Sequence, residues 1–264
     1  LHRPSWNTIG RSTGDVMADS KEIRWGIIGA GLISSDFCAA LRHCPGACIN
    51  AVAARSAEKA REFASKHDIP RAFGSYDDIC ACEEVDVVYV GTIHPSHFEC
   101  VKTALNRGKS VLCEKPMSMT AAQVTTLVAL ARAKNVFLME GMWTRFFPAV
   151  TKAIELIEQK KIGDLVEVIS DFGFASKVSE SSRLYNVEMG GGGLLDIGIY
   201  VLASAAFVWG CAPSEVKAVG WREPTGADSC GVIGLKYGAE GDSGHPRLAS
   251  LTYSMRTATK ELTV

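Results

Sequence analysis

A lysine followed by a proline is one of two groups of residues in this sequence that could move a proton. Lys115 stands between Glu114 and Pro116, directly after the apolar run Ser110–Cys113. Such a run is typical of a buried strand, and the residues that follow the strands of an open parallel sheet line the edge where ligands bind. Burial there would lower the pKa of Lys115 and suit it to proton transfer or to polarising a hydroxyl. A surface lysine beside a structural proline explains the same residues.

The second group is Asp196 and Tyr200, four positions apart in the apolar stretch 194–210. On a helix this spacing places both side chains on one face. A buried aspartate is costly without a partner, and a tyrosine acts as a base near neutral pH only where a cation stabilises its phenolate. We predict that Lys115 and Tyr200 form a catalytic pair, with Asp196 beside them. In the alternative, Tyr200 completes the core and Asp196 caps the helix.

A glycine-rich turn offers a binding site for an anion. Gly29 and Gly31 close the first predicted strand, and Leu32 and Ile33 open the helix that follows. Unsatisfied N–H groups at a helix N-terminus bind the pyrophosphate of a dinucleotide. The third glycine of the usual fingerprint is replaced by Ser34, which is small enough for close packing of helix and strand. A tight turn without a ligand is the alternative, but the strand–helix–strand setting favours a dinucleotide.

The end of the second predicted strand, residues 50–54, bears on which dinucleotide binds. NAD enzymes usually carry Asp or Glu there to accept a hydrogen bond from the ribose. This chain has Arg55 and Ser56, with Lys59 one helical turn beyond Arg55. Arg55 can bind a 2′-phosphate through paired charge-assisted hydrogen bonds, and Ser56 can donate another. The sequence therefore predicts NADP as the cofactor, against the alternative of a solvated arginine in a loop.

Alternating strands and helices position these residues in the first half of the chain. The predicted strands are residues 23–28, 50–54, 85–90, 110–113 and 136–139, and the predicted helices are residues 33–43, 57–66, 97–107 and 120–134. This alternation is typical of a doubly wound parallel sheet, so we predict an α/β Rossmann domain over residues 21–147.

The second half of the chain has a different pattern of predicted strands and helices. Half-exposed strands are predicted at residues 165–172, 215–221, 231–237 and 248–255, separated by one substantial helix. They predict an α+β domain over residues 148–264 with an open, mostly antiparallel sheet. Residues 1–20 are expected to be a disordered leader, and residues 1–16 of it an upstream extension.

Composition excludes several classes of partner. The 28 Lys and Arg residues against 29 Asp and Glu leave a net charge of −1, which gives no reason to expect nucleic acid or an anionic membrane. Residues 1–15 lack the apolar core of a signal peptide. The stretch 194–210 is interrupted by Asp196 and is too short for a membrane span, so a buried helix explains it better.

The cysteines indicate a reducing compartment. Nine is an odd number, and several lie in apolar runs, which favours buried thiols in a cytoplasmic protein. Cys80 and Cys82 have the wrong spacing for a zinc pair, and no second pair accompanies them. No metal site is therefore predicted.

Three motifs together resemble the glucose–fructose oxidoreductase/inositol dehydrogenase family, GFO/IDH/MocA. They are Gly29-x-Gly31, Cys113-Glu-Lys-Pro116 and Gly193-Leu-Leu-Asp-Ile-Gly-Ile-Tyr200. The likeness runs from residue 23 to the C-terminus and is strongest up to residue 200. It implies a cis bond before Pro116 and catalytic roles for Lys115 and Tyr200, although many members have histidine in place of this tyrosine.

The resemblance also implies roles for residues around the cofactor. Thr92, after the strand 85–90, is expected to approach the nicotinamide. Of His94 and His97, one orients Lys115 or the cofactor, or else both simply open the next helix.

Glu114, Trp143 and Arg145 complete the site that the resemblance implies. Glu114 belongs to the lysine motif. Trp143 and Arg145 follow the last Rossmann strand and line the cofactor or substrate cleft, unless they pack a domain interface.

The implied reaction is hydride transfer between NADP and a hydroxyl-bearing carbon of a small cyclic diol or aldose. Two examples are a trans-dihydrodiol giving a catechol and D-xylose giving xylonolactone, and the sequence does not rank them. The alternatives are a non-catalytic NADP sensor or scaffold and a sugar oxidoreductase that keeps NADP tightly bound. The family's second domain continues beyond residue 264, and a tighter connection is expected at residues 238–246. We therefore expect an incomplete second domain, whose sheet could support a homodimer.

Overall fold

The computed structural model describes residues 22–238 and 247–259, which form two compact units. The first unit contains residues 22–92, 96–114 and 120–139. The second contains residues 93–95 and 115–119 together with the described residues from 140 onward. The predicted leader, residues 1–20, lies outside the described residues. The same holds for the predicted connection 238–246, apart from residue 238.

The first unit is built around a six-stranded sheet. Its strands are β1 (Ile23–Ile28), β2 (Ala47–Ala53), β3 (Arg71–Phe73), β4 (Val87–Val90), β5 (Ser110–Cys113) and β6 (Leu138–Glu140). Their order is β3-β2-β1-β4-β5-β6, and the pairs from β3 to β5 are parallel. The order reverses between β1 and β4, which is the point where open α/β sheets bind ligands. The predicted Rossmann fold is confirmed.

Five helices of the described chain connect these strands. They are α1 (Leu32–Leu41), α2 (Ala57–Lys66), α3 (Tyr76–Ala81), α4 (His94–Asn106) and α5 (Ala121–Lys134). The side chains of Ser56 and Thr120 accept hydrogen bonds from backbone N–H groups in the first turns of α2 and α5. The helix predicted from residue 97 begins earlier, at His94, because a proline fits the first turn of a helix. β3 and α3 are too short to show periodicity and are not predicted.

The core of the first unit explains why β1 and β4 read as continuous apolar runs. Ile27 of β1 and Val88 of β4 are fully buried, as both faces of a parallel sheet require. Tyr89 of β4 stacks on Phe37 of α1 with ring centroids 3.9 Å apart. This packing holds the first helix against the strand edge from which the glycine turn projects.

The second unit contains a four-stranded mixed sheet. Its strands are β7 (Glu167–Gly173), β8 (Glu215–Arg222), β9 (Asp228–Tyr237) and β10 (Arg247–Ser254), in the order β7-β10-β9-β8. β9 is antiparallel to both of its neighbours, whereas β10 is parallel to β7. The predicted open, mostly antiparallel sheet is therefore confirmed. Helix α6 (Pro148–Glu158) is not predicted by the patterns above, although its proline stands at the favoured first position.

Helix α7 (Ile199–Trp209) packs on one face of this sheet. Its buried residues Val201, Ala205 and Trp209 contact inward-facing residues of β9 and β10, such as Ile233 and Leu251. By length and composition alone, the helical stretch Val187–Trp209 could cross a membrane. Its packing in the core of the second unit accounts for the same apolar character.

The nine cysteines all lie among the described residues, and none of them forms a disulfide. Burial raises the pKa of Cys38 and of Cys100 to about 11 in each case. Within residues 22–238 and 247–259, no group of three or more His, Cys, Asp or Glu side chains could hold a metal ion.

Candidate active site

The glycine turn of the first unit has the geometry of a dinucleotide-binding loop. Gly29 has a φ of +101°, and a Cβ there would lie 2.7 Å from the carbonyl oxygen of Gly91, so only glycine fits. Gly31 starts α1 without a side-chain cap, and a Cβ on it would meet nothing within 4 Å. Open space therefore lies in front of uncapped N–H groups, which suits a pyrophosphate. Ser34 is buried against Gly91, as the predicted close packing requires.

The first turn of α1 exposes two apolar side chains. Leu32 is 87% exposed and Ile33 is 39% exposed, whereas Ser34, Cys38 and Leu41 of α1 are buried. Exposed leucines are common on protein surfaces, so this exposure alone carries little weight. Because Leu32 and Ile33 are the first two residues of α1, both side chains lie beside the glycine turn, where the sequence predicted contacts with the cofactor.

The residues after β2 carry two positive charges, on Arg55 and Lys59, and one carboxylate, on Glu58 in the first turn of α2. Arg55 and Lys59 are exposed, and the Ser56 side chain accepts a hydrogen bond from the Lys59 N–H at 3.2 Å. Because Ser56 accepts in that bond, its own proton can be donated to another group. Burial raises the pKa of Tyr76, and the positive charge of Arg55 opposes that rise. Tyr76, which the sequence patterns do not single out, is therefore close enough to Arg55 to sense its charge.

Two of the predicted cofactor ligands, His97 and Glu114, form hydrogen bonds at the ends of the strands, and their predicted roles toward the cofactor stay predictions. His97 is fully buried, and its Nε2 lies 3.0 Å from the backbone oxygen of Thr92. A contribution of His97 to cofactor binding would therefore act through the position of Thr92. Glu114 accepts a hydrogen bond from the hydroxyl of Tyr89 at 2.8 Å. His94, in the second unit, lies 3.1 Å through Nδ1 from the carbonyl oxygen of Gly190.

The second unit brings Lys115, Asp196 and Tyr200 together. The Nζ of Lys115 donates to the backbone oxygen of Asp196 at 2.7 Å and lies 5.0 Å from the centroid of the Tyr200 ring. An ammonium group over an aromatic face is held by the ring's negative charge distribution. The same cation would stabilise a phenolate on this ring. The peptide bond between Lys115 and Pro116 is cis, as the resemblance implies.

The structure corrects the expected helical setting of Asp196. Residues Leu194–Gly198 form a π-helical segment, and α7 starts only at Ile199, so Asp196 and Tyr200 do not lie on one face of a regular α-helix. Insertions of this kind are frequent at functional sites. The Asp196 carboxylate is bound by Arg183 at 3.1 Å, and its backbone oxygen receives Lys115. Arg183 is the partner that a buried aspartate requires, and no local pattern in the sequence reveals it.

Aromatic side chains surround the Tyr200 hydroxyl. The indole Nε1 of Trp143 donates to the Tyr200 oxygen at 3.0 Å. The ring of Phe172 meets the Tyr200 ring edge-on, with centroids 5.5 Å apart. A phenolate on Tyr200 would thus face an N–H donor in addition to the Lys115 ammonium. The sequence predicted Trp143 at this site and missed Phe172, which lies next to the last residue of β7 and belongs to no motif.

Arg145 has a different neighbour. Its guanidinium lies 4.8 Å from the centroid of the Phe207 ring in α7, and burial lowers its pKa. This contact lies within the second unit and bears on neither the cleft nor the interface alternative. Its predicted role at a cleft stays a prediction.

Comparison with known proteins then decides the family. Residues 23–142 match the profile described as "Oxidoreductase family, NAD-binding Rossmann fold", and residues 150–263 match "GFO/IDH/MocA C-terminal domain". The chain belongs to the GFO/IDH/MocA oxidoreductase family. The two matched regions follow each other along the chain and cover most of both units.

Relatives in this family carry a common name. The chain is 46% identical over 218 residues to trans-1,2-dihydrobenzene-1,2-diol dehydrogenase of Bos taurus, covering 81% of this chain and 64% of that protein. It is 43% identical over 221 residues to the protein of the same name from Homo sapiens, covering 83% of this chain and 66% of that protein. The match therefore spans less than two thirds of each relative.

Two solved structures are similar to this chain. The aldose-aldose oxidoreductase from Caulobacter crescentus, complexed with glycerol, has a TM-score of 0.81 and 26% identity, covering 90% of this chain and 72% of that one. The 3-ketoreductase KijD10 from Actinomadura kijaniata, in complex with NADP and TDP-benzene, has a TM-score of 0.77 and 27% identity, covering 89% and 71%.

Proposed function

We propose that the protein is an NADP-dependent dehydrogenase acting on a hydroxyl-bearing carbon of a small cyclic diol. The observation that carries this proposal is the Lys115 ammonium beside the Tyr200 ring, since that cation makes tyrosine a usable acid and base. Family membership supports the oxidoreductase class, and the shared name of the mammalian relatives supports the diol substrate.

The first unit contains groups suited to holding NADP. The uncapped N-terminus of α1 behind Gly31 would bind the pyrophosphate, and the exposed Arg55 and Lys59 would bind the 2′-phosphate. The position after β2 that usually accepts from an unphosphorylated ribose carries no carboxylate, which supports NADP over NAD. Bound by these groups, NADP⁺ would supply the hydride acceptor for oxidation of the substrate's carbinol carbon.

The second unit contains groups suited to handling the proton. In the oxidising direction, the Tyr200 phenolate takes the substrate hydroxyl proton as the C–O bond becomes a carbonyl. Lys115 and the Trp143 indole N–H stabilise the phenolate before that transfer. In the reducing direction, Tyr200 returns the proton to the carbonyl oxygen. Asp196 fixes Lys115 through its backbone oxygen, and Arg183 compensates its carboxylate.

The substrate that we propose is a trans-dihydrodiol, which oxidation converts to a catechol. The aromatic side chains of Trp143 and Phe172 contact Tyr200 and suit a flat unsaturated ring better than a fully hydroxylated sugar. D-xylose, oxidised to its lactone, is the comparison substrate that tests this preference. A small molecule is thus the expected partner.

The decisive experiment has two steps. NADPH and NADH are titrated against the purified chain by fluorescence, and an NADPH preference of at least about tenfold, on the order of 1.4 kcal/mol, is expected. Turnover of the dihydrodiol and of D-xylose with NADP⁺ is then measured for the wild type and for Tyr200→Phe. We expect the variant to bind NADPH normally and to lose most of its turnover.

Each result has a defined meaning. Equal affinity for both cofactors would refute the Arg55 argument. NADPH binding without turnover of either substrate would favour the sensor alternative. NADP that stays bound through purification would favour an enzyme that keeps its cofactor. Full activity of Tyr200→Phe would remove this residue from the mechanism.

We also propose that the chain acts in the cytoplasm as a homodimer. Nine cysteines, none of them in a disulfide, suit a reducing compartment. The sheet face opposite α7 exposes apolar side chains, among them Ile169 of β7 at 77% and Val219 and Trp221 of β8 at 73% and 65%. Exposed apolar side chains on one face of an open sheet favour association with a second copy. Light scattering is expected to report twice the chain mass of 28.3 kDa, and Trp221→Glu is expected to halve it.

A further inference from the structure

We propose that Asp228 and Tyr253 are positioning residues that set the geometry of Lys115 and Tyr200 from beneath the π-helical segment Leu194–Gly198. This inference rests on the proposed dehydrogenase function. Asp228 begins β9 and Tyr253 lies near the end of β10, so neither belongs to the motifs identified in the sequence.

The glycines before the segment pack directly on these two side chains. Gly192 has a φ of +137°, and a Cβ on it would lie 2.5 Å from Oδ1 of Asp228. A Cβ on Gly193 would lie 2.9 Å from Cε2 of Tyr253. Real Cβ contacts are not this close, so the glycine run lets the backbone approach Asp228 and Tyr253 directly.

Hydrogen bonds join the same three elements. The Oδ2 atom of Asp228 accepts from the Leu194 N–H at 2.7 Å and from the Tyr253 hydroxyl at 2.8 Å. A carboxylate at the first residue of a helical segment satisfies an N–H group and suits the positive end of the helix dipole. Burial, together with the Asp228 hydrogen bond, raises the pKa of Tyr253, so its hydroxyl remains a donor throughout the working pH range.

The Tyr253 ring contacts both ends of the segment. In addition to its contact at Gly193, it would lie 3.2 Å through Cδ1 from a Cβ on Gly198. The ring is 6% exposed and belongs to the core of the second unit, which restricts its movement. The segment between these two contacts contains Asp196, whose backbone oxygen holds Lys115.

A displacement of the segment Leu194–Gly198 on Asp228 and Tyr253 would therefore move the reacting groups. If the segment relaxes, the Asp196 oxygen moves and Lys115 loses its fixed place over Tyr200. Small misplacements of reacting groups cost large factors in rate. A weaker cation at Tyr200 would also raise the pKa of its phenol, because the phenolate would lose stabilisation.

The test compares Tyr253→Phe and Asp228→Asn with Tyr237→Phe. Tyr237 is a matched control, since it is buried in the same core cluster but packs on Trp209 at the other end of α7. For each variant, thermal unfolding, NADPH affinity, kcat, KM and the pH profile of kcat for diol oxidation are measured. The rate of Lys115 modification by an amine reagent is followed by mass spectrometry, which does not require turnover.

We expect both test variants to bind NADPH as the wild type does and to lose roughly 10- to 100-fold in kcat. The acidic limb of their kcat profile should move to higher pH, and Lys115 should be modified faster. Tyr237→Phe should show none of these changes. Asp228→Asn preserves the shape of the side chain, so it provides the answer should Tyr253→Phe fold poorly.

An unchanged kcat profile and unchanged Lys115 modification in both variants would overturn the inference. A loss of stability equal to that of Tyr237→Phe, with no shift in pH profile, would overturn it as well. A further outcome is that the wild type turns over no diol while the two variants still show faster Lys115 modification than the wild type. That result would support the positioning role and refute the proposed function.

Discussion

Arg183→Met is predicted to destabilise the second unit because it removes the positively charged partner of the buried Asp196 carboxylate. Asp196 is buried, with 11% of its side chain exposed, whereas 41% of the Arg183 side chain is exposed. The two are joined by one charge-assisted hydrogen bond of 3.1 Å. Methionine keeps much of the length of the arginine side chain but removes both its charge and its donors.

The size of the effect follows from this partial burial. Hydrogen bonds to charged groups contribute about 1.5–3 kcal/mol, and fully exposed ion pairs contribute about 0.2–1 kcal/mol. A pair with one buried and one half-exposed member should lie between these ranges, at about 1–2 kcal/mol. For a chain of this size, a loss of that order lowers Tm by roughly 2–8 °C.

The assay is a double-mutant cycle on thermal and urea unfolding. It combines Arg183→Met with Asp196→Asn, and the coupling energy should recover most of the loss because the double variant leaves no stranded charge. Lys152→Met is the control, since it breaks an exposed pair with Glu155 and should change stability by less than about 0.5 kcal/mol. A coupling energy of zero, or equal losses for Arg183→Met and Lys152→Met, would refute the reasoning.

Three further predictions concern the first unit. Gly29→Ala should cost roughly 1–3 kcal/mol and abolish NADPH binding, because its Cβ meets Gly91 at a positive φ; normal NADPH affinity would contradict this. Burial lowers the pKa of His67 from its ordinary value of 6.5, so protonation of this side chain is less favourable in the folded state than in the unfolded state. The free energy of unfolding should therefore fall as the pH drops below 6.5. In urea unfolding at a series of pH values, His67→Gln should flatten this part of the pH dependence, and an unchanged slope would contradict the prediction. Burial raises the pKa of Cys80 to about 12, so iodoacetamide at pH 8 should modify the exposed Cys44 and spare Cys80 until the chain unfolds; equal rates measured by mass spectrometry would contradict this.

Local patterns predicted much of the first unit. Residues 57–66 and 110–113 form the expected helix and strand with the expected bounds, because apolar periodicity and a serine cap are properties of neighbouring residues. The strained conformation of Gly29 and the exposed charge of Arg55 are also local, since each depends on the turn that follows one strand. Short elements such as Arg71–Phe73 cannot be predicted in this way, because three residues are too few to show an apolar periodicity.

The arrangement of the reacting groups depended on long-range packing. Lys115 and the Asp196 oxygen are 81 positions apart in the chain, and Trp143 and Tyr200 are 57 apart. The π-helical turn at Asp196 was invisible in the sequence, where a spacing of four suggests an ordinary helix.

The sequence by itself determined the strand and helix pattern, the glycine turn and the types of residue available for proton transfer, because these follow from neighbours along the chain. Only the tertiary structure decided that Lys115 binds a backbone oxygen, that Arg183 compensates Asp196, and that Asp228 and Tyr253 support the segment between them. The physical reason is that such contacts depend on how α7 packs against β9 and β10, and side chains from distant segments meet only once that core has formed.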